Sequence, residues 1–299
     1  HSGGGPFGEQ LRRIAAATPG AGIIILGSGS VPLATAADRR AFVAAAAGDG
    51  VALTNNRYSG DILAVPPEVD LSALPGLAAD NSLPRWLAEQ GLPVRDLRER
   101  WRLQVDLDSP IDVLLASLAR PRDHAFARPH DPAFARARDA ATRIRNRAVD
   151  SRAELLVAGR TSAAALRWLE HSTASRTRAL VEERGMRTAP PDQRPARSTL
   201  GLLIDRDGPD GFGRILAEIA DAAVVDTRVL LAHRLGTDES AWPAAEDRFA
   251  SDLLLHERIA DPWLSALTRA AAEARIPILL GGHTLVGPGL RLLLRVARP

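Results

Sequence analysis

The residues best suited to chemistry lie together in Gln104-Val105-Asp106-Leu107-Asp108-Ser109-Pro110-Ile111-Asp112. Val105 and Leu107 alternate with two carboxylates, the period-2 pattern of a strand. Ser109 then reads as an N-cap and Pro110 as a first helical residue. Asp112 falls in the first turn, where a negative charge suits the helix dipole. The stretch predicts a strand that ends in an Asp-x-Asp pair and runs directly into a helix. Two carboxylates one residue apart repel each other, and a divalent cation with oxygen ligands would answer that repulsion. Solvated acids at a polar strand end are the plainer reading.

Other candidates are scattered. Gly159-Arg160-Thr161-Ser162 follows an apolar run and opens a helix, so its amides, hydroxyls and arginine could hold a phosphate; a simple N-cap accounts for it as well. Asp205, Asp207 and Asp210 precede Gly211 in a loose likeness to a calcium loop. The acid that such a loop needs at its twelfth position is replaced by Leu216, and a surface turn is the expectation. Asp226, His233, Glu246, Asp247, His256 and His283 are acid/base candidates in the second half, without a spacing that specifies zinc. Asp226 and His283 each end an apolar run, and could meet at a switch point of an open sheet.

Composition excludes several chemistries. The chain of 299 residues has no cysteine, so disulfide and thiolate chemistry are absent. All 38 basic residues are arginine. Without lysine there is no Schiff base, no lysine general base and no Walker-type phosphate lysine. The pI of about 10.1 beside a net charge of +2 follows from the same fact, since without lysine or cysteine little titrates between histidine and arginine. A basic pI here is no argument for nucleic-acid binding. No apolar run has the length of a membrane span or a signal peptide, and a cytoplasmic setting is the expectation.

The elements that must position these residues alternate between helix and strand. An amphipathic helix from Pro6 to Ala17 precedes Gly22-Ile23-Ile24-Ile25-Leu26-Gly27, whose unbroken apolar character predicts a strand buried on both faces of a parallel sheet. Ser28-Gly29-Ser30-Val31-Pro32-Leu33 follows as a loop, and Thr35 caps the next helix, with Asp38 in its first turn. Residues 51–54 and 61–65 read as strands around the polar turn Asn55-Asn56-Arg57-Tyr58-Ser59-Gly60. A short helix over 82–90 stops at Gly91-Leu92-Pro93. Residues 119–148 are rich in arginine and proline and read as a linker followed by a solvated helix. Beyond them, strands are predicted at 154–159, 199–204, 223–226, 276–282 and 290–296. Helices are predicted from Thr161 through Glu170, in a further stretch ending near Gly185, over 212–221 and within 242–274.

The first half resembles the MobA/CofC-like nucleotidyltransferases, which have the nucleotide-diphospho-sugar transferase fold. The resemblance rests on the apolar strand with its Pro-Leu loop, the Thr-capped helix and the Asp-x-Asp-Ser-Pro-x-Asp junction formed by Asp106, Asp108, Ser109 and Asp112. It covers roughly residues 7–118. In that family the first loop commonly reads Asp-x-Pro-Leu and its aspartate binds Mg2+; the second junction supplies the other metal ligand. This sequence departs in having Ser30 or Val31 at the first-loop aspartate position and no lysine to neutralise a triphosphate. The family's N-terminal strand and glycine-rich nucleotide loop are not found ahead of the first helix; either the chain starts at that helix or the numbering leaves out residues before it.

The expectation is an α/β protein of two domains, each a mostly parallel sheet flanked by helices, the first nucleotide-diphospho-sugar-transferase-like. Domain bounds are 1–120 and 151–299, with an Arg-rich connector over 121–150. The resemblance implies a Mg2+-dependent, guanylyltransferase-like transfer of a nucleoside monophosphate from a nucleoside triphosphate to a small phosphorylated acceptor. Asp106 and Asp108 would be catalytic and hold Mg2+. Gly27, Ser28, Gly29 and Ser30 would line the nucleotide or acceptor cleft, and Asn55, Asn56 and Arg57 would contact the acceptor. The alternative is an inactive relative that binds a nucleotide or a partner and regulates. A homodimer is a further expectation, and nucleic acid and membrane are not expected as partners.

Overall fold

The structure is a computed structural model, and it describes residues 6–48, 50–77, 82–119, 131–184 and 195–294. The chain is α/β and divides into two compact bodies between Asp106 and Leu107. That boundary falls earlier than the residue 120 expected, because the helix after the acidic junction packs within the second body.

The first body contains helices α1 (Phe7–Ala17), α2 (Ala36–Ala46) and α3 (Leu83–Glu89) and strands β1 (Ile23–Leu26), β2 (Ala52–Thr54), β3 (Ile62–Val65) and β4 (Val94–Asp96). The sheet order is β1-β3-β2-β4. Pairings β1–β3 and β3–β2 are antiparallel and β2–β4 is parallel, so this sheet is mixed. Alternation along β3 separates two cores. Leu63 and Val65 join Leu11, Leu83 and Leu87 on one face, while Ile62 and Ala64 join Phe42, Leu53 and Leu103 on the other. The expectation that β1 is buried on both faces is corrected. It is an edge strand, with Ile24 and Leu26 exposed, and the doubly buried strands are β2 and β3.

The second body contains α4 (Pro110–Ala119), α5 (Ala135–Ala148), β5 (Glu154–Gly159), α6 (Ala163–Ser172), β6 (Arg176–Val181), α7 (Thr199–Asp207), α8 (Phe212–Ile219) and β7 (Ala222–Asp226). It continues with α9 (Thr227–Leu235), α10 (Ala245–Asp252), α11 (Pro262–Ala272), β8 (Ile278–Gly281), α12 (His283–Val286) and α13 (Gly289–Leu293). Its sheet is parallel throughout, in the order β6-β5-β7-β8. Because β5 is followed by a strand on one side and later by β7 on the other, the strand order reverses between β5 and β7.

Several sequence expectations fail here for local reasons. Residues 199–204 form helix α7, capped by Ser198, whose Oγ accepts from the Gly201 amide at 3.1 Å. Leu200, Gly201 and Ile204 are its buried residues, and a short apolar run does not distinguish helix from strand by periodicity. Residues 289–293 are helix α13 where a last strand was expected; 295 and 296 lie outside the described residues. Where a helix was expected to end near Gly185, itself outside the described residues, the chain forms β6. This edge strand keeps Arg176, Arg178 and Ala179 exposed, and charged edges deter further pairing. Of the expected Arg-rich connector, 120–130 lies outside the described residues, including Arg120, Arg122, Phe126 and Arg128. Residues 135–148 are α5, whose Ala137, Ala140, Ala141, Ile144 and Ala148 are buried. Among the described residues no helix is long and apolar enough to cross a membrane.

Candidate functional sites

In the first body the expected strand at the acidic junction does not form. Trp101–Gln104 is a turn of 3-10 helix, and the acidic stretch after it pairs only through a single antiparallel bridge, Ser30 with Asp106. That bridge fixes the backbone of the first loop against the first acid of the junction. The loop itself is tight. Gly27 donates its amide to Asp61 O at 2.9 Å, and Ser30 donates its amide to Gly27 O at 3.2 Å. Gly29 takes a φ of +82°, and the next residue but one, Val31, takes +46°. A β-branched residue at positive φ is strained, and such strain persists only where the surroundings over-determine it. Here Val31 is buried in the core with Phe42 and Leu103. Ser28 and Gly29 are exposed, and Asp106 is half-buried.

The turn after β2 is organised by Asn55, which corrects its expected role. Its Oδ1 accepts from the amides of Asp61 (2.9 Å) and Ile62 (3.2 Å), and its Nδ2 donates to Asp61 Oδ2 (2.8 Å) and Leu103 O (2.9 Å). Fully buried and with its polar atoms occupied, Asn55 holds the turn and has nothing left for an acceptor. Asn56 accepts from the Tyr58 amide at 3.0 Å, an Asx turn. Arg57 is exposed, and its amide donates to Asp96 Oδ2 at 3.0 Å. Gln104 donates to Asn55 O at 3.0 Å, tying the turn to the acidic junction.

Asp108 lies at the start of the second body and faces different company. It is exposed, and its Oδ2 lies 3.9 Å from His283 Nδ1. Around it the carboxyl edge of the parallel sheet gathers charge. Arg160, one residue past β5, donates from Nε to Asp226 Oδ2 at 2.6 Å and from Nη2 to Oδ1 at 3.1 Å. Gly159 has a φ of +124°, and a Cβ there would lie 2.3 Å from that of Asp226, so only glycine allows the approach. Asp226 also caps α9, accepting from the Arg228 amide at 3.1 Å. Burial pushes its carboxyl pKa up, but Arg160 and Arg228 outweigh burial and hold it below the ordinary carboxylate range.

Arg228 is buried and makes a bidentate pair with Asp252, through Nη1 to Oδ1 and through Nη2 to Oδ2 at 2.7 Å. Its Nη1 also donates to Thr227 Oγ1 at 2.9 Å, and Thr227 donates to Gly281 O at 3.2 Å. Asp112 lies beside this pair. Its Oδ2 accepts from the amide and hydroxyl of Ser109, at 2.9 and 3.0 Å, while its buried Oδ1 has no partner. Burial, and then the negative charge of Asp252, push the Asp112 pKa up to about 8. For His283, partial burial and the positive charge of Arg160 push the pKa down, against Asp108 and Asp226.

Asp226 and His283 therefore do meet at one edge, since Asp226 is in register with Gly281. The remaining candidates are tied elsewhere. His233 accepts from the Ser198 amide at Nδ1 (3.1 Å), which leaves its proton on Nε2, 2.9 Å from Asp205. Asp247 accepts from the amides of Ala260 and Asp261. His256 lies 3.7 Å from Glu257. Asp207 pairs with Arg206 and Arg214, and Asp210 with Arg269, so these acids do not converge as a calcium loop would require. Among the described residues no three His, Cys, Asp or Glu side chains form a group that could hold a metal.

The sequence reading missed Arg228 and Asp252, and the pairing of Arg160. The available signals were polar Thr227-Arg228 directly after an apolar strand, and a lone Asp252 at the head of Leu253-Leu254-Leu255. Compared with protein-family models, curated proteins and solved structures, the chain matches none.

Proposed function

We propose that the chain is a Mg2+-dependent relative of the nucleotide-diphospho-sugar transferase-like nucleotidyltransferases, moving a nucleoside monophosphate from a triphosphate to a small phosphorylated acceptor. The observation that carries this reading is the Ser30–Asp106 bridge, which sets a tight glycine- and serine-containing loop beside the first acid of the junction. Strain at Val31, the residue after the bridge, supports the same location.

The donor set fits Mg2+ in the manner usual for this ion, which takes one or two carboxylates and completes its shell with substrate phosphates and water. Asp106 would hold it; Asp108, the expected second ligand, belongs to the second body and lies beside His283 there. When bound, the ion supplies positive charge that offsets charge developing on the leaving pyrophosphate. The chain's own residues would do the rest. The exposed backbone and hydroxyls of loop 27–30 would lie along the nucleotide, and Gly29 would let a ligand approach without a side chain in the way. Asn56 and Arg57 would face the acceptor, and arginine would serve as the phosphate cation in a chain without lysine.

A second reading, a non-catalytic relative that binds a nucleotide or a partner, is favoured by one observation. The loop position where the family carries a metal-binding aspartate is filled by Ser30 or by Val31, which is buried in the core. Thermal shift with GTP, CTP and ATP, with and without Mg2+, separates the readings. Metal-dependent stabilisation that is lost in Asp106→Ala supports transfer. Stabilisation indifferent to Mg2+ supports the second reading, and no response to any nucleotide contradicts transfer and the nucleotide-binding form of the second reading.

A further inference from the structure

We propose that the carboxyl edge of the second body's parallel sheet, at loop 159–162, binds a small molecule through a phosphate group. None of its residues belongs to the site built on Asp106. It lies between β5 and β7, where the strand order reverses and the crossover connections leave on opposite sides, the place where open parallel sheets accommodate ligands.

Four observations converge on it. Arg160 is locked by Asp226 through Nε and Nη2, so its remaining N–H groups lie on the opposite edge of the guanidinium, and the side chain retains 16% exposure. Thr161, only 8% exposed, buries an Oγ1 that has no partner. A buried hydroxyl without a partner costs free energy, and a ligand oxygen would remove that cost. Ser162 caps α6 by accepting from the Ala165 amide at 3.2 Å, which leaves the amides of Ala163 and Ala164 ahead of the helix's own ladder, on exposed residues. His283, 39% exposed, stands at the end of the strand beyond β7.

The chemistry selects phosphate. A guanidinium edge, a hydroxyl and helix N-terminal amides offer donors of three kinds within residues 160–164, more than the two oxygens of a carboxylate can use. The fully buried Asp226 does not repel the anion, because Arg160 and Arg228 both offset its charge. The loop has no lysine, so its cation is Arg160.

The test is an amide-resolved NMR titration of the full chain with inorganic phosphate, ribose 5-phosphate and AMP. The expected result is saturable shifts at the amides of residues 160–164, unchanged in Asp106→Ala. Thr161→Val should weaken binding about ten-fold while raising the melting temperature of the ligand-free protein. Thr161→Ser, which keeps the hydroxyl, should retain binding and guards against a folding artefact. Equal affinity for the three probes assigns recognition to the phosphate alone, and tighter AMP binding assigns it to a nucleoside phosphate. The proposal is overturned if no probe shifts these amides at millimolar concentration, or if Thr161→Val stabilises the protein and leaves binding intact.

Discussion

The acid of the candidate metal site and the acids at the parallel sheet's edge are held in opposite ways. In the first body, the acid of interest is half-buried at the end of a 3-10 turn, held by one backbone bridge and a strained loop. In the second body, Asp226 and Asp252 are buried outright and each is matched to an arginine by two hydrogen bonds. A buried charge is costly unless paired and hydrogen-bonded, so the second arrangement is rigid by necessity. A partly exposed acid carries little of that cost and can exchange its contacts for a ligand. The contrast teaches that the buried arginine–aspartate pairs organise a fold edge, while the acid of the first body keeps a carboxylate within reach of solvent.

If that contrast is right, the largest effect should come from breaking a buried pair. Arg228→Met leaves Asp252 buried without its partner and should cost about 3–5 kcal/mol, confined to the second body. Segment-resolved hydrogen exchange under denaturant would show early opening of β7 and α10 with the first body unchanged. Adding Asp252→Leu should recover most of the loss. A loss shared equally by both bodies would break the comparison.

Next in size is Gly159→Ala. The added Cβ meets Asp226 at 2.3 Å on a backbone with a φ of +124°, and the substitution should cost about 2–4 kcal/mol in chemical denaturation. The Arg160–Asp226 pair would have to shift with it.

Asp112 sharpens the comparison through pH. Its folded pKa, about 8, lies above the ordinary 3.8, so between these values the folded protein holds a proton that the unfolded chain releases. Its contribution to stability is therefore present at low pH and is lost as pH rises through about 4 to 8, at no more than about 1.4 kcal/mol per pH unit. Asp112→Asn should flatten this part of the stability–pH profile of the second body. An unaltered slope would place the titration elsewhere.

The smallest effect belongs to a local cap in the first body. Thr35 and Asp38 form a capping box, with Asp38 accepting from the Thr35 amide at 2.9 Å and Thr35 Oγ1 accepting from the Asp38 amide at 3.1 Å. Thr35→Ala should cost about 1 kcal/mol, visible as a modest shift in the denaturation midpoint.

How much could be read in the sequence depends on how local each determinant is. The Thr35 cap, the apolar strands β5 and β8, and the turn around Asn55 announce themselves within a few residues. β6 does not, because its edge position replaces an apolar run with arginines. α7 and α13 are short and apolar, and only their tertiary neighbours decide helix over strand. At the candidate sites the sequence singles out the loop 27–30 and Asp106 as motifs, and the bridge that joins them is not readable there, being a long-range backbone contact. Asn55 looked available because its type suits ligand binding; the four hydrogen bonds that occupy it come from residues as distant as Leu103. Arg228 and Asp252 are separated by 24 positions, and no spacing rule links them.

The most direct test of the central claim is hydrogen exchange of the full chain in the presence of GTP and Mg2+. Protection should appear at loop 27–30 and at residues 104–108, should depend on the metal, and should vanish in Asp106→Ala. Protection absent from both segments, with every nucleotide-dependent change confined to residues 159–164 and 281–283, would contradict the assignment of nucleotide chemistry to the first body.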